Sequence, residues 1–168
     1  MKQLRLIMLL PLLCNMLVIE SFAHDIEVAN SDGVTIFYNW INDNTELEVS
    51  YRGSQFAYSN LYYYDKVVIP ESVAYNGKTY SVTSIGGAAF YQCTALKNVT
   101  IPNSVTTIDD YAFSDNPITT LNLATGLTTI CEGAFSSTNL SSVTIPSSVT
   151  SIGSSAFSSC NALTSVTI

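Results

Sequence analysis

V-T-I-P-S-S-V-T-S-I-G-S-S-A-F-S-S-C-N-A-L-T-S-V, Val143 to Val166, decides the fold, because the chain spells it about four times. An Ala-Phe pair marks each copy: Ala89-Phe90, Ala112-Phe113, Ala134-Phe135 and Ala156-Phe157. The phenylalanines stand 23, 22 and 22 residues apart. A fixed period in the twenties is the signature of a solenoid, with one supersecondary unit per repeat stacked on its neighbours.

Superposing the copies assigns a role to each position. The strand positions read Leu96-x-x-Val99-x-Ile101, Ile118-x-x-Leu121-x-Leu123, Leu140-x-x-Val143-x-Ile145 and Leu163-x-x-Val166-x-Ile168. This is L-x-x-L-x-L with β-branched substitutions; the apolar pair points inward and the residue between points out. Pro70, Pro102 and Pro146 end three strands, since proline cannot donate to a ladder, and Ala124 stands in for it in the third copy. A second apolar pair follows: Val82/Ile85, Val105/Ile108, Leu127/Ile130 and Val149/Ile152. Gly86 and Gly153 then turn the chain, with Asp109 and Cys131 in that place in the middle copies. The unit is too short for a long return helix, so a helical turn or irregular segment is expected near Ala-Phe. Phe90, Phe113, Phe135 and Phe157 should form the structural core.

The outward residues form ladders. One runs Val68, Thr100, Asn122, Thr144, Thr167; a second Lys66, Asn98, Thr120, Ser142, Ser165; a third Asp65, Lys97, Thr119, Ser141, Thr164. Small, polar and nearly uncharged, they make a flat, regular face. Extended solenoid faces commonly bind proteins, so Asn98, Thr100, Thr120, Asn122, Ser142, Thr144, Ser165 and Thr167 are the candidate binding face. The plainer alternative is that they keep the sheet soluble.

Residues 1–23 read as a secretory signal peptide. Lys2 and Arg5 precede the apolar run Leu6 to Ile19, and Ser21-Phe22-Ala23 places small residues before a cleavage point at His24. The run is shorter than the ~18–20 apolar residues a membrane span needs, so no membrane insertion is expected after cleavage. Residues 24–64 read as an N-terminal antiparallel β cap followed by a tyrosine-rich loop. Val34, Ile36, Tyr38 and Trp40 alternate with Thr35, Phe37 and Asn39; Leu47, Val49 and Tyr51 alternate again. Such a block would cover the apolar end of the first rung. His24, first after cleavage, is expected to be mobile. The loop carries Tyr58, Tyr62, Tyr63 and Tyr64. These form either an aromatic patch for sugar or protein, or packing between cap and rung, which tyrosine also suits. Residues 65–168 are the solenoid, interrupted at 74–81 by a hairpin whose Asn76-Gly77 pair favours a type I′ turn.

Composition excludes several classes. After cleavage twelve acids face Arg52, Lys66, Lys78 and Lys97, a net charge near −8. That argues against nucleic acid and anionic membrane surfaces, which need clustered Lys and Arg. Cys93, Cys131 and Cys160 read as buried small apolar residues. At ~4.8 Å per stacked strand, Cys93 and Cys160 would stand roughly 14 Å apart, and a disulfide needs Cα atoms within about 7 Å. No C-x-x-C spacing is present and His24 is the single histidine, so no metal or other cofactor is expected. No G-x-S-x-G, H-E-x-x-H or phosphate loop occurs. Asp109-Asp110 reads as a solvated turn rather than a glycosidase pair, since adjacent strand residues face opposite ways. The chain is read as non-enzymatic.

The pattern I-P-S-S-V-T-S-I-G-S-S-A-F-S-S-C-N-A-L-T-S-V resembles the BspA-type leucine-rich repeat, because I-P, S-V-x-x-I-G and A-F-x-x-C recur in order from Val67 to Ile168. The cap and its Y-N-G-K-T-Y hairpin resemble the leading segment of such proteins. The resemblance implies a mainly β leucine-rich repeat solenoid of about four rungs, secreted or at the cell surface, acting in adhesion or protein binding. The expected partner is a host or neighbouring-cell protein. The alternatives are a carbohydrate-binding module using the N-terminal tyrosines and a fragment of a larger surface protein. The last copy stops at Val166-Thr167-Ile168, partway through its first strand, with no C-terminal cap visible. The expectation drawn from this is a continuing chain or end-to-end association through that rung.

Overall fold

The cap strands are set by their turns. In the computed structural model, which describes residues 24–51 and 65–168, β1 (Ile26–Ala29) and β2 (Thr35–Ile41) pair antiparallel. Asn30 closes the turn between them: its Oδ1 accepts from the Asp32 and Val34 amides, each at 2.9 Å. β2 turns into β3 (Glu46–Ser50) through Asn42, Asp43 and Asn44, all at positive φ, a conformation that Asn and Asp tolerate best among side-chain-bearing residues. The expected signal segment and Tyr58, Tyr62, Tyr63 and Tyr64 lie outside the described residues.

One expectation for the cap is corrected. Phe37, on the face of β2 opposite Ile36 and Tyr38, is 4% exposed. His24, expected to be mobile, covers it with ring centroids 4.6 Å apart and lies 3.9 Å from Glu27. The pairing of β1 with β2 sets Glu27 opposite Phe37, and His24, two residues before the strand, lies over that ring.

Each rung then contributes two short strands. The first series is β4 (Lys66–Val68), β7 (Asn98–Thr100), β9 (Thr120–Asn122), β11 (Ser142–Thr144) and β13 (Ser165–Thr167). The second is β6 (Lys78–Ile85), β8 (Thr107–Ile108), β10 (Thr129–Ile130) and β12 (Ser151–Ile152), with β5 (Ser72–Tyr75) as the hairpin partner of β6. The hairpin turn is Asn76-Gly77, at φ 49° and 76°, as a type I′ turn requires. β3 pairs in parallel with β6, so the cap continues the second series into one sheet, β1-β2-β3-β6-β8-β10-β12. The cap therefore protects that sheet's edge by extending it. It also reaches the other series, where Asn30 Nδ2 donates to Val68 O at 2.8 Å. The turn joining the two strands of a rung recurs: Val105 N to Pro102 O, Leu127 N to Ala124 O and Val149 N to Pro146 O, at 3.0–3.1 Å. Ala124 makes the proline turn without proline.

No helix forms in the return segment around Ala-Phe. The amides of Ala88, Phe90 and Gln92 instead donate to Asp110 O, Ala112 O and Ser114 O of the next rung at 2.8–3.1 Å. The intervening amides of Ala89 and Tyr91 reach back three residues within the rung. The next two rungs take the same pattern through Tyr111, Phe113 and Asp115, and through Gly133, Phe135 and Ser137. The residues two before and two after each phenylalanine have positive φ: Ala88 and Gln92, Tyr111 and Asp115, Gly133 and Ser137, Ser155 and Ser159. Seven of these eight carry a side chain, each at a cost of roughly 1–2 kcal/mol. The inter-rung bonds and the core beneath must offset it.

That core is a column of rings. Phe90, Phe113 and Phe135 are fully buried, and successive centroids down to Phe157 lie 5.0, 5.3 and 5.4 Å apart with planes within 11°. The alanines beside them are buried as well, and a larger side chain there would overpack the column. A second column runs Cys93, Asn116, Thr138, Cys160. Asn116 Nδ2 donates to Phe90 O at 2.7 Å and Phe113 O at 2.9 Å; Thr138 Oγ1 donates to Phe135 O at 3.0 Å. The side chains at this position thus satisfy carbonyls that the turn leaves over. Burial thins in the fourth rung: Ile152, Val166 and Ile168, expected inward, are 47%, 54% and 93% exposed, because no described rung stacks on them. Cys131, expected buried, is half-exposed at the turn, while Cys93 and Cys160 are buried and all three are free.

Two measurements check this packing. Phe135→Ala should lower stability by about 3–5 kcal/mol in chemical denaturation, as for other buried phenylalanines; an unchanged midpoint would remove the ring column from the core. Burial pushes the Cys93 thiol up to about 12, so it carries almost no thiolate at a pH of about 8. A thiol reagent at that pH should modify Cys131 in the native protein and reach Cys93 and Cys160 only after denaturation.

Candidate binding face

The first strand series carries the candidate residues. Asn98 pairs with Thr120 and Thr100 with Asn122, with Val99 and Leu121 buried between them. Ser142 pairs with Ser165 and Thr144 with Thr167. All eight side chains are exposed. The alternation of the pleat does this: each three-residue strand turns its middle residue inward and presents the two beside it. The face is not one ladder, however. β4-β7-β9 form one sheet and β11-β13 another; β9 and β11 are neighbours without ladder pairing. The face therefore divides into two panels, Asn98, Thr100, Thr120 and Asn122 in one, Ser142, Thr144, Ser165 and Thr167 in the other. Charge is confined to the cap end, where Lys97 Nζ lies 3.0 Å from Asp65 and Lys66 Nζ 3.8 Å from Asp32.

The second series carries a row that sequence reasoning missed. Thr106, Thr128 and Thr150 each donate a hydroxyl and an amide to the carbonyl of the threonine one rung earlier, Thr83, Thr106 and Thr128. The signal was present as a threonine recurring at the repeat period; its hydroxyls are partly committed to holding rungs together.

The turn flank is acidic. Asp109 and Asp110, read as a solvated turn, stand at the turn and act on the following rung: Asp109 Oδ1 lies 3.7 Å from Cys131 Sγ, and Asp110 Oδ1 accepts from the Glu132 amide at 3.0 Å. Tyr111 donates to Glu132 Oε1 at 2.9 Å, which pushes the Tyr111 phenol up. Its ring lies over Gly133, where a Cβ would fall 2.5 Å from ring carbon Cε1, so the one glycine of that column makes room for the neighbouring rung's tyrosine. Burial first, then the charges of Asp109 and Asp110, raises the Cys131 thiol. A shallow groove of about 330 Å³, lined by Thr94, Asp115, Asn116, Pro117, Ser137 and Asn139, lies beyond the phenylalanine segment. Among the described residues no three His, Cys, Asp or Glu side chains are grouped to hold a metal, and no helix is long and apolar enough to cross a membrane.

Comparison with known proteins agrees with this geometry. Residues 54–168 match the family described as BspA type leucine rich repeat region, in six copies; the Ala-Phe pairs alone mark four. The match begins inside the tyrosine-rich stretch assigned above to a loop. The chain is similar to a leucine-rich repeat protein from Bacteroides ovatus at 29% identity and TM-score 0.57, over 79% of this chain and 39% of that one. It is similar to another from Bacteroides capillosus at 29% identity and TM-score 0.62, over 79% and 92%. The pneumococcal vaccine antigen PcpA shares the fold at 20% identity and TM-score 0.64, over 86% and 38%. The chain thus spans about two fifths of the first and last of these. No curated protein matches significantly. A family match over more than half the chain, on a stack of rungs with the same repeat, makes this a member of the BspA-type leucine-rich repeat family.

Proposed function

We propose that the chain is an exported, non-catalytic module that binds proteins at the cell surface, acting in adhesion. The observation that carries this is the polar face of the first strand series: eight exposed, uncharged side chains held at fixed spacing by buried Val99, Leu121 and Val143. Binding is favoured where the receptor surface is already ordered, since little rotamer freedom is lost on association. Short Ser, Thr and Asn side chains on strands meet that condition. The signal-like sequence at residues 1–23 supports export, and membership of the family supports a binding scaffold rather than an enzyme. The partner is a protein of a host or neighbouring cell, and the neutral face suits a partner recognised by hydrogen bonds and shape rather than by charge.

The test is a binding screen of the processed chain against host matrix proteins and, in parallel, a glycan array. Thr100→Arg, Thr120→Arg and Thr144→Arg sit on exposed positions and should leave melting nearly unchanged. Each substitution that falls at the centre of the interface should weaken protein binding about tenfold or more. Binding that survives these changes but is abolished by Tyr62→Ala with Tyr63→Ala would overturn the sheet-face reading in favour of the aromatic one.

A further inference from the structure

The two panels of the first strand series meet at a seam, between β9 and β11. At each other step of this series the strands pair, and a backbone bond closes the entry to the pair. Lys97 N donates to Asp65 O at 3.0 Å, Thr119 N to Lys97 O at 3.2 Å and Thr164 N to Ser141 O at 3.0 Å. Two of these steps are closed at the exit as well, by Ile69 N to Thr100 O and Ile145 N to Thr167 O, at 3.1 and 2.8 Å. The seam has none of this. β9 and β11 do not pair, and among the described residues the equivalent amides, Ser141 at the entry and Leu123 at the exit, donate to no backbone carbonyl. Packing loosens at the same place. Leu123 is half-buried, whereas its counterparts Ile69, Ile101 and Ile145 are 2%, 6% and 4% exposed.

The other two walls of the same step are joined. β10 pairs with β12, Thr129 with Ser151 and Ile130 with Ile152. The amides of Gly133, Phe135 and Ser137 donate to Ser154 O, Ala156 O and Ser158 O at 2.8–3.0 Å. The rings of Phe135 and Phe157 stack, but at 11° and 5.4 Å, against 4° and 5.0 Å and 3° and 5.3 Å at the two steps before. The turn after β9 is tied to the preceding rung instead. Thr125 donates its amide and its hydroxyl to Asn103 Oδ1, each at 3.1 Å, and Gly126 lies against Asn103 O too closely for a Cβ. We propose that the step between β9 and β11 is a hinge, joined along the second strand series and the phenylalanine segment and opening on the candidate binding face.

Opening breaks no ladder. It wets part of Leu121 and Val143, which are 8% and 3% exposed when the seam is closed. That apolar contact favours the closed form and limits the excursion. Side-chain spacing stays fixed within each panel, and the spacing between panels becomes adjustable. A partner that bridges the panels selects the opening that suits it; this last consequence rests on the face being a binding surface, whereas the hinge does not.

Cross-linking without any partner tests the hinge, so its failure is distinct from failure of the binding reading. In a Cys131→Ser background, cysteine pairs are placed across the seam (Asn122→Cys with Thr144→Cys) and within a panel (Thr100→Cys with Asn122→Cys). A third pair marks the joined wall of the same step (Thr129→Cys with Ser151→Cys). The first two pairs occupy exposed positions, and an unchanged melting transition establishes that each variant is folded. Rigid two-headed thiol reagents are used, a short one matched to one strand spacing of about 4.8 Å and a long one to about twice that. The short reagent should close all three pairs. The long reagent should close the seam pair, and at the other two it should give only single-site labelling. The hinge is refuted if the seam pair rejects the long reagent as the panel pair does. It is equally refuted if the long reagent also closes the Thr129–Ser151 pair, since the whole step would then be loose and the second wall would not act as its axis.

Discussion

Stacking of one rung's phenylalanine on the next is the interaction on which the rest depends. Around each ring the backbone takes two positive-φ conformations, and only Gly133 among those eight positions is a glycine. An isolated rung would have no reason to hold them. Once a second rung arrives, the amides at those positions find carbonyls, the rings meet at 5.0–5.4 Å, and Asn116 or Thr138 caps the carbonyls left over. The favourable terms therefore belong to the interface between rungs, the nearest-neighbour regime of repeat proteins. Thr106, Thr128 and Thr150 repeat the arrangement on the second sheet.

Most of this was legible from period and apolar spacing. The strand pair, the proline turn and the phenylalanine column each recur in the sequence, and an Ala124 in the proline place did not disturb the turn. Three things were not legible, for physical reasons. Alternation in β2 separates two faces without saying that both carry buried residues; His24, ahead of β1, covers Phe37 through strand pairing that local pattern does not encode. The return segment reads from sequence only as a helical or irregular turn, because its positive-φ residues are mostly Ala, Gln, Tyr, Asp and Ser rather than Gly; the clue was small or polar residues two positions either side of Phe. Adjacent acids suggested only solvation, since the groups they meet, the Cys131 thiol and the Glu132 amide, belong to the following rung.

The candidate face follows from the same repeat. Turning every middle strand residue toward the core fixes its neighbours outward at regular spacing, which is why the eight positions are readable from the sequence. What the period did not reveal is the missing ladder between β9 and β11, which separates two panels of four side chains. A partner spanning both panels meets two rigid surfaces rather than one continuous sheet. The threonine row on the other series is less available, because its hydroxyls already bridge rungs.

If rungs are joined through the phenylalanine segment, amide exchange at Phe113 and Phe135 measures that join directly. Their N–H groups are bonded to Ala134 O and Ala156 O of the following rung at 2.8 Å. Both amides should be protected to an extent comparable with the core strand amides Val99 and Leu121, opening only with the stack. Exchange of Phe113 and Phe135 at the rate of exposed turn amides, with the strands still protected, would contradict that join.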